Sequence, residues 1–237
     1  MNNEEFNRFV DEREYHLSTA YASLIRKVYV WMTLALAITG VTAYGVAHSP
    51  RLLETIVSSP IIFFGIIIGE LILVVSVSAA IHRLSLATAT LLFLLYSVLN
   101  GITFAFIFLS YSTAVISKVF FITAGTFAAM AILGHRTNRN LSAFGRFGMM
   151  ALIGIIIASV VNIFLKSSML EFILSYAGVA VFVGLTAWDA QKIRLMLQDA
   201  EAADESMQKV ALVGALTLYL DFINLFLYLL RIFGRER

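Results

Sequence analysis

The sequence predicts an all-α integral membrane protein, a seven-transmembrane-helix bundle with the C-terminal helix central. Three observations lead to this fold class. Of the 237 residues, 60% are hydrophobic and 14% are charged, an apolar excess that soluble domains of this size do not carry. The hydrophobic residues form segments long enough to cross a bilayer as helices. The last segment, residues 210–230, also carries polar side chains, which a membrane helix keeps away from lipid.

The composition limits the class of function as well. The chain has no cysteine, so disulfides and thiolate metal sites are excluded. Its formal net charge is +2 and the basic residues are scattered between apolar segments, so the expected partner is the lipid bilayer and not nucleic acid. The first residues lack the pattern of a signal peptide. We expect a polar N-terminal tail over residues 1–27 and a single seven-helix transmembrane domain over residues 28–237.

Polar and charged breaks divide the apolar sequence into seven expected spans. These are residues 28–47, 61–81, 84–109, 115–133, 147–165, 170–189 and 210–230. Residues 52–59 are expected at the membrane interface, and the SYST sequence at 110–113 separates the third span from the fourth. The sixth helix is expected to continue beyond the membrane through Arg194.

Lysine and arginine in the short loops predict the orientation, because both residues are enriched on the cytoplasmic side. A cytoplasmic N-terminus places the basic HRTNRN loop, residues 135–140, on the inner side with most other basic residues. Seven spans then put the basic C-terminal residues outside, so a re-entrant last segment that returns to the cytoplasm stays open as an alternative. Short tails without eukaryotic sorting signals favour a bacterial inner membrane.

The last span has one polar face. Its polar and small residues recur at steps of three and four, which places them on one stripe of a helix. The members of this polar seam are Gly214, Thr217, Asp221, Asn224, Tyr228 and Arg231. The rest of each turn is apolar, which indicates a helix surrounded by other helices.

Three acids lie in the expected spans or at their ends: Glu70, Asp189 and Asp221. Asp189 and Asp221 are on consecutive helices, and two carboxylates held together in a low dielectric cannot both ionise cheaply, so one would keep a proton near neutral pH. Such a pair can sense pH, carry protons or bind a cation. The alternatives are structural: Asp189 as a helix cap, or buried ion pairs of Asp221 with Arg83 or Arg231 and of Glu70 with Arg231.

Three stretches carry a resemblance to a known family. They are SVLNGITFAFIFLSYS at 97–112, GLTAWDAQKIR at 184–194 and ALTLYLDFINLFLYLLRIFG at 215–234. The sequence resembles the Bax inhibitor-1 family, also called the transmembrane Bax-inhibitor-motif family, in a bacterial-type form. The resemblance implies a seven-helix bundle around the last helix and a pH-sensitive calcium leak across the membrane.

The resemblance also implies roles for particular residues. The family's pH-sensing aspartates match Asp189 and Asp221. An arginine late in the second helix, which pairs with the sixth-helix aspartate in the closed form, is best matched by Arg83. The family's second-helix glutamate and terminal arginine look like Glu70 and Arg231.

We therefore expect a calcium-permeable leak channel gated by protonation of Asp189 and Asp221, which would also bind Ca²⁺ transiently as hard oxygen ligands. No cofactor beyond the permeant Ca²⁺, and no enzymatic activity, is expected. The main alternative is a proton-coupled Ca²⁺/H⁺ exchanger, for which the same acids would serve. An intramembrane aspartyl protease is a further alternative, although the GxGD signature of those enzymes is absent around both aspartates. Membrane-protein partners are also conceivable, but the sequence does not identify any.

Overall fold

The structure, a computed structural model, describes residues 3–200 and 202–234, and within the first helix it describes the side chains of Glu5 and of residues from Tyr15 onward. The described chain contains eight α-helices and a short 3-10 turn at Ile81–Arg83. The helices are α1 Asn3–Ala47, α2 Pro50–Ser58, α3 Pro60–Ala79, α4 Leu86–Ser110, α5 Thr113–Arg136, α6 Ser142–Leu165, α7 Ser168–Leu197 and α8 Glu205–Phe233.

Seven of these helices are long and apolar enough to cross a membrane, and the nine-residue α2 is the exception among those described. This confirms the predicted fold class. The most buried of the seven is α8, with 67% of its apolar window inside the protein, as expected for a helix surrounded by the others. It is one uninterrupted helix of 29 residues, which is the length of a full span.

The first helix begins earlier than the predicted first span. The described part of α1 starts at Asn3 and passes residue 27 without a break. The first 27 residues contain no glycine or proline, so nothing in them interrupts a helix. The division into a tail at 1–27, part of which lies outside the described residues, and a single transmembrane domain stays a prediction.

The segment expected at the membrane interface forms α2. Ser49 precedes this helix and Pro50 begins it, which is the position where a proline costs no helical hydrogen bond. The next helix repeats the arrangement with Ser59 and Pro60, and the Ser59 hydroxyl accepts a 3.4 Å hydrogen bond from the Ile62 backbone N–H. Two helix starts of the Ser-Pro type, of which the second has a side-chain cap, therefore separate α2 from both neighbouring spans.

The described residues fall into two compact units. The first comprises the chain up to Phe106 together with Ile193–Leu216. Its helices α1 and α4 approach closely, since a β-carbon on Gly101 would lie 2.6 Å from the Thr42 β-carbon. The Thr39 hydroxyl donates a 3.0 Å hydrogen bond to the Ser97 carbonyl nearby. Small and hydroxyl side chains are typical of such membrane helix contacts.

Side chains in the first turns of α8 hold the start of this helix within the first unit. The Lys27 Nζ donates a 2.7 Å hydrogen bond to the Gln208 side-chain oxygen. A Glu205 carboxylate oxygen accepts a 3.1 Å bond from the Leu86 backbone N–H at the start of α4 and pairs with the Lys209 Nζ at 3.0 Å. A carboxylate at a helix N-terminus is favourable because it faces free N–H groups. The start of α8 is thus fixed at both α1 and α4.

The second unit comprises Ile107–Lys192 and the residues from Thr217 on. Glycines bring three helices together in it. A β-carbon added to Gly134 of α5 would overlap the Ala187 carbonyl of α7. On α6, one added to Gly145 would overlap the Trp188 ring, and one added to Gly148 would lie 2.9 Å from the Leu185 side chain. The C-terminal half of α7 is therefore packed tightly against the end of α5 and the start of α6. This half carries Asp189.

Candidate functional site

Asp189 of α7 and Asp221 of α8 lie together inside the second unit. Their side chains are 7% and 5% exposed, and the two carboxyl groups are hydrogen-bonded to each other. Ionised carboxylates have acceptors and no donor. The hydrogen bond therefore requires at least one proton on the pair, so the two acids do not both carry a charge in this arrangement.

Local contacts fix the α7 side of this pair. Gln191, two residues beyond Asp189 and 3% exposed, turns towards the loop between α5 and α6. Its Oε1 accepts a 2.9 Å hydrogen bond from the Leu141 N–H, and its Nε2 donates to the Arg139 carbonyl at 2.8 Å and to the Thr137 carbonyl at 3.4 Å. One amide thus satisfies three backbone groups of the loop, which holds this turn of α7 in place.

The carboxyl pair borders a pocket of about 470 Å³ between α6, α7 and α8. The polar lining residues besides the pair are Lys192, Thr217, Asn224 and Tyr228, and the apolar ones are Met149, Leu152, Ile156, Phe182, Leu185, Trp188 and Leu220. Four members of the predicted polar seam, namely Thr217, Asp221, Asn224 and Tyr228, therefore border this one space.

One oxygen of the pair has no partner. Among the described residues, no hydrogen-bond donor reaches the buried Oδ2 atom of Asp221. A buried acceptor without a donor costs about 1–3 kcal/mol. This oxygen is therefore the atom of the site best suited to take a proton, a metal ion or a ligand donor.

Two of the cation-ring contacts in this unit involve residues that line the pocket. The Lys192 Nζ lies 5.2 Å from the centre of the Trp188 ring, and it also acts electrostatically on Asp189. The Arg231 guanidinium lies 5.4 Å from the Tyr228 ring. Such contacts are favourable because the ring face is negative.

The third acid, Glu70 on α3, belongs to the first unit. Its Oε1 accepts a 2.5 Å hydrogen bond from the Thr103 hydroxyl of α4, and Asn100 also hydrogen-bonds to it. These partners are neutral. Hydrogen bonds from neutral donors lower the free-energy cost of placing a carboxyl group within a membrane.

The two arginines predicted to pair with acids are exposed. Arg83 ends the 3-10 turn after α3 and belongs to the first unit, whereas Arg231 belongs to the second. The predicted pairs of Arg83 with Asp189 and of Glu70 with Arg231 stay predictions.

Sequence reasoning did not single out Trp188, Gln191 or the glycines at 134, 145 and 148. A signal existed for the glycines, because small residues repeated on one helix face predict a close helix contact. For Gln191 the signal was a polar amide in the middle of an otherwise packed helix turn. Neither signal identifies the partner, which depends on the tertiary fold.

The site can supply ligands to a hard cation without enclosing it. No group of three or more His, Cys, Asp or Glu side chains that could hold a metal ion occurs among the described residues. Two carboxyl groups with the Thr217, Asn224 and Tyr228 side chains nearby provide oxygen ligands of the kind Ca²⁺ prefers. Such a set suits transient passage, because conduction requires release as well as binding.

Seven apolar helices long enough to cross a membrane, two of which carry a buried carboxyl pair, define an integral membrane protein. The chain matches the family model described as "Inhibitor of apoptosis-promoting Bax1" over residues 21–237, and it belongs to this family, the Bax inhibitor-1 family. It is 48% identical to the inner membrane protein YbhL of Escherichia coli (strain K12) over 212 residues, 89% of this chain and 91% of the relative.

Further relatives match over a similar share of the chain. A Borreliella burgdorferi protein is 43% identical over 213 residues, 90% of this chain and 92% of its own. A membrane protein of Streptococcus pyogenes serotype M1 is 38% identical over 212 residues, 89% of this chain and 91% of its own. With the seven apolar helices and the inner-membrane relative, the protein is an integral protein of the bacterial inner membrane.

Proposed function

We propose that the protein is a pH-sensitive leak channel that passes Ca²⁺ down its gradient, gated by protonation of Asp189 and Asp221. The observation that carries this proposal is the hydrogen bond between the two carboxyl groups. It joins α7 to α8 and exists only while the pair holds a proton.

Loss of that proton changes the forces between the two helices. Two ionised carboxylates in a buried site repel each other, so the doubly charged pair favours a state in which α7 and α8 separate locally. A protein with two such states shifts between them as its proton count changes. Deprotonation also frees oxygen ligands for a divalent cation. Opening and cation binding thus follow from the same ionisation.

The two acids have different parts in this mechanism. Asp221, in the middle of the most buried helix, serves mainly in cation passage. Asp189 is fixed through its own turn of α7 by the Gln191 contacts and serves mainly in gating. Arg83 is proposed to stabilise the closed state by favouring an ionised Asp189.

The test is Ca²⁺ flux into proteoliposomes across a pH series. We expect the wild-type flux to change within a unit or two of neutrality. Asp189→Asn and Asp221→Asn each replace a titrating group by a neutral one, so both should flatten the pH dependence, and Asp221→Asn should also reduce the flux. Glu171→Gln, which neutralises an exposed acid at the other end of α7, is the matched control and should keep the wild-type profile.

Unchanged pH profiles in both asparagine variants would refute this mechanism. Internal pH recorded in the same experiment separates the channel from a Ca²⁺/H⁺ exchanger, because an exchanger moves protons in fixed proportion to Ca²⁺ and a channel does not. We assign no enzymatic activity to the pair. Cleavage of a helical reporter substrate that Asp221→Asn abolishes would instead support the intramembrane protease.

A further inference from the structure

The pocket beside the carboxyl pair is larger than a calcium ion requires. Eight waters around Ca²⁺ occupy roughly 240 Å³ at about 30 Å³ each, whereas the pocket holds about 470 Å³. Volumes of roughly 300–1,000 Å³ are typical of sites for small organic molecules. Half of the space is therefore available to something other than a hydrated ion.

The wall opposite the pair is apolar and accessible from the bilayer. It is formed in part by α6, of which only 6% of the apolar window is buried. Two of its lining side chains, Met149 and Ile156, are 45% and 53% exposed. The same side chains thus face both the pocket and the surroundings of the protein. A molecule dissolved in the membrane can reach the pocket along this wall.

The polar end of the pocket requires a hydrogen-bond donor. Asp221 is nine-tenths buried or more, it lines the pocket, and its Oδ2 has no donor among the described residues. The pair can carry one negative charge and still keep the proton that its hydrogen bond needs. A primary ammonium group supplies both a positive charge and three N–H donors.

Aromatic side chains add to this preference. The Phe182 and Tyr228 rings stack with their centres 5.8 Å apart, and both residues line the pocket with Trp188. Aromatic faces next to carboxylates favour organic cations. Lys192 is also a lining residue, and it lies over the Trp188 ring, which keeps one positive charge at the α7 side of the space.

We propose that this pocket binds a hydrophobic organic ammonium, with the –NH₃⁺ group on Asp221 and Asp189 and the alkyl chain along Leu152 and Ile156 of α6. Such a ligand is either a free alkylamine or the headgroup of an aminophospholipid. Its effect on ion flow rests on the proposed function, because the ammonium takes the place of Ca²⁺ at the same carboxyl groups. An alkylamine should therefore block the Ca²⁺ leak.

Binding can be measured without any ion flux. The chain has two tryptophans, Trp31 and Trp188, so Trp31→Phe leaves Trp188 in the pocket as the single reporter. In phosphatidylcholine nanodiscs free of Ca²⁺, octylamine should change the Trp188 fluorescence saturably. Octanol has the same chain without the charge and should cause no saturable change.

Two variants locate the ligand. Asp221→Asn removes a charge-assisted hydrogen bond and should weaken octylamine binding about ten- to a hundred-fold. Ile156→Phe narrows the apolar part of the pocket at an exposed position that the fold tolerates, and it should weaken binding while both acids stay in place. Glu171→Gln is the control and should bind octylamine as the parent does.

The remaining outcomes are also informative. Weaker apparent octylamine binding in phosphatidylethanolamine nanodiscs would assign the site to an aminophospholipid headgroup, and unchanged binding to a free amine. Equal responses to octanol and octylamine, or wild-type binding in both pocket variants, would overturn the inference. That result would leave the pH dependence of Ca²⁺ flux untouched, whereas a failed flux experiment with intact amine binding would refute only the proposed function.

Discussion

Gly134 of α5 lies directly against Ala187 of α7, so that a β-carbon added to the glycine would overlap the Ala187 carbonyl oxygen. The contact is between two helix backbones, and neither can move aside without shifting its helix. Ala187 lies two residues before Asp189 in the sequence. The glycine therefore sets how closely α7 approaches α5 next to the carboxyl pair.

Gly134→Ala should accordingly destabilise the protein. Overpacking of a close contact typically costs about 1–3 kcal/mol, and here the obstacle is backbone. Gly125→Ala on the same helix is the matched control, because nothing lies within 4 Å of its added β-carbon, and alanine favours a helix by up to about 1 kcal/mol. Thermal unfolding in detergent compares the two. Equal stability of the two variants would contradict the close contact.

Gln191 provides a second prediction. Gln191→Leu removes three hydrogen bonds to the loop between α5 and α6 and leaves the Leu141 N–H without its acceptor. A lost partner of this kind costs about 1–3 kcal/mol. Arg139 lies in this loop and Arg136 ends α5 just before it, so limited trypsin digestion should cut the variant faster than the wild type.

Gln191→Glu refines this test. It keeps the acceptor for Leu141 and removes the donors to the two carbonyls, so its rate of digestion should fall between those of wild type and Gln191→Leu. Wild-type rates in both variants would show that the amide does not hold the loop.

The Thr103–Glu70 hydrogen bond yields a third prediction. Thr103→Val removes the donor and leaves a carboxyl group within the membrane with one partner fewer, which should lower the melting temperature. Thr103→Ser retains the hydroxyl and should keep most of the stability. If the valine and serine variants were equally stable, the 2.5 Å hydrogen bond would contribute nothing to the stability of the protein.

The predicted ion pair of Glu70 with Arg231 is tested separately by the double variant Glu70→Gln with Arg231→Gln, compared with each single variant. Additive losses of stability would argue against coupling of the two residues.

Topology is the fourth prediction. Seven spans place the two ends of the chain on opposite sides, with the N-terminus and the HRTNRN loop in the cytoplasm. Reporter fusions after Arg237, within the loop and at the N-terminus determine each side. A cytoplasmic C-terminus would mean that α8, although continuous over 29 residues, does not cross the bilayer.

The spans and the polar seam could be predicted from sequence because both depend on local patterns. Apolar length identifies a membrane helix, and steps of three and four place Thr217, Asp221 and Asn224 on one face whatever surrounds them. The pairing of Asp189 with Asp221, 32 positions apart, was predicted because consecutive antiparallel helices can bring two acids together, and the resemblance to a family added to that prediction.

Other parts of the site could not be predicted for a physical reason. The contacts of Gln191 and Gly134 depend on which helix turns meet, and that is decided by packing over the whole unit. The pocket beside Leu152 and Ile156 depends on the space left between three helices, which no single segment encodes. The early start of α1 arises because residues before Tyr15 are polar but still favour a helix, so hydropathy alone misses it.

The exposure of α6 determines which amino-acid substitutions this helix tolerates. Its buried residues are Gly145, Gly148 and Ile155, which repeat at helical spacing on one side. The other side chains of this helix, outside the pocket wall, face the hydrocarbon of the lipid. Lipid requires an apolar side chain and not a particular shape. A saturation mutagenesis library of α6 should therefore retain most apolar exchanges at positions such as Ile153 and Ile163, and lose larger residues at the two glycines. Those permissive positions are also where a spectroscopic label can be attached without disturbing the carboxyl pair.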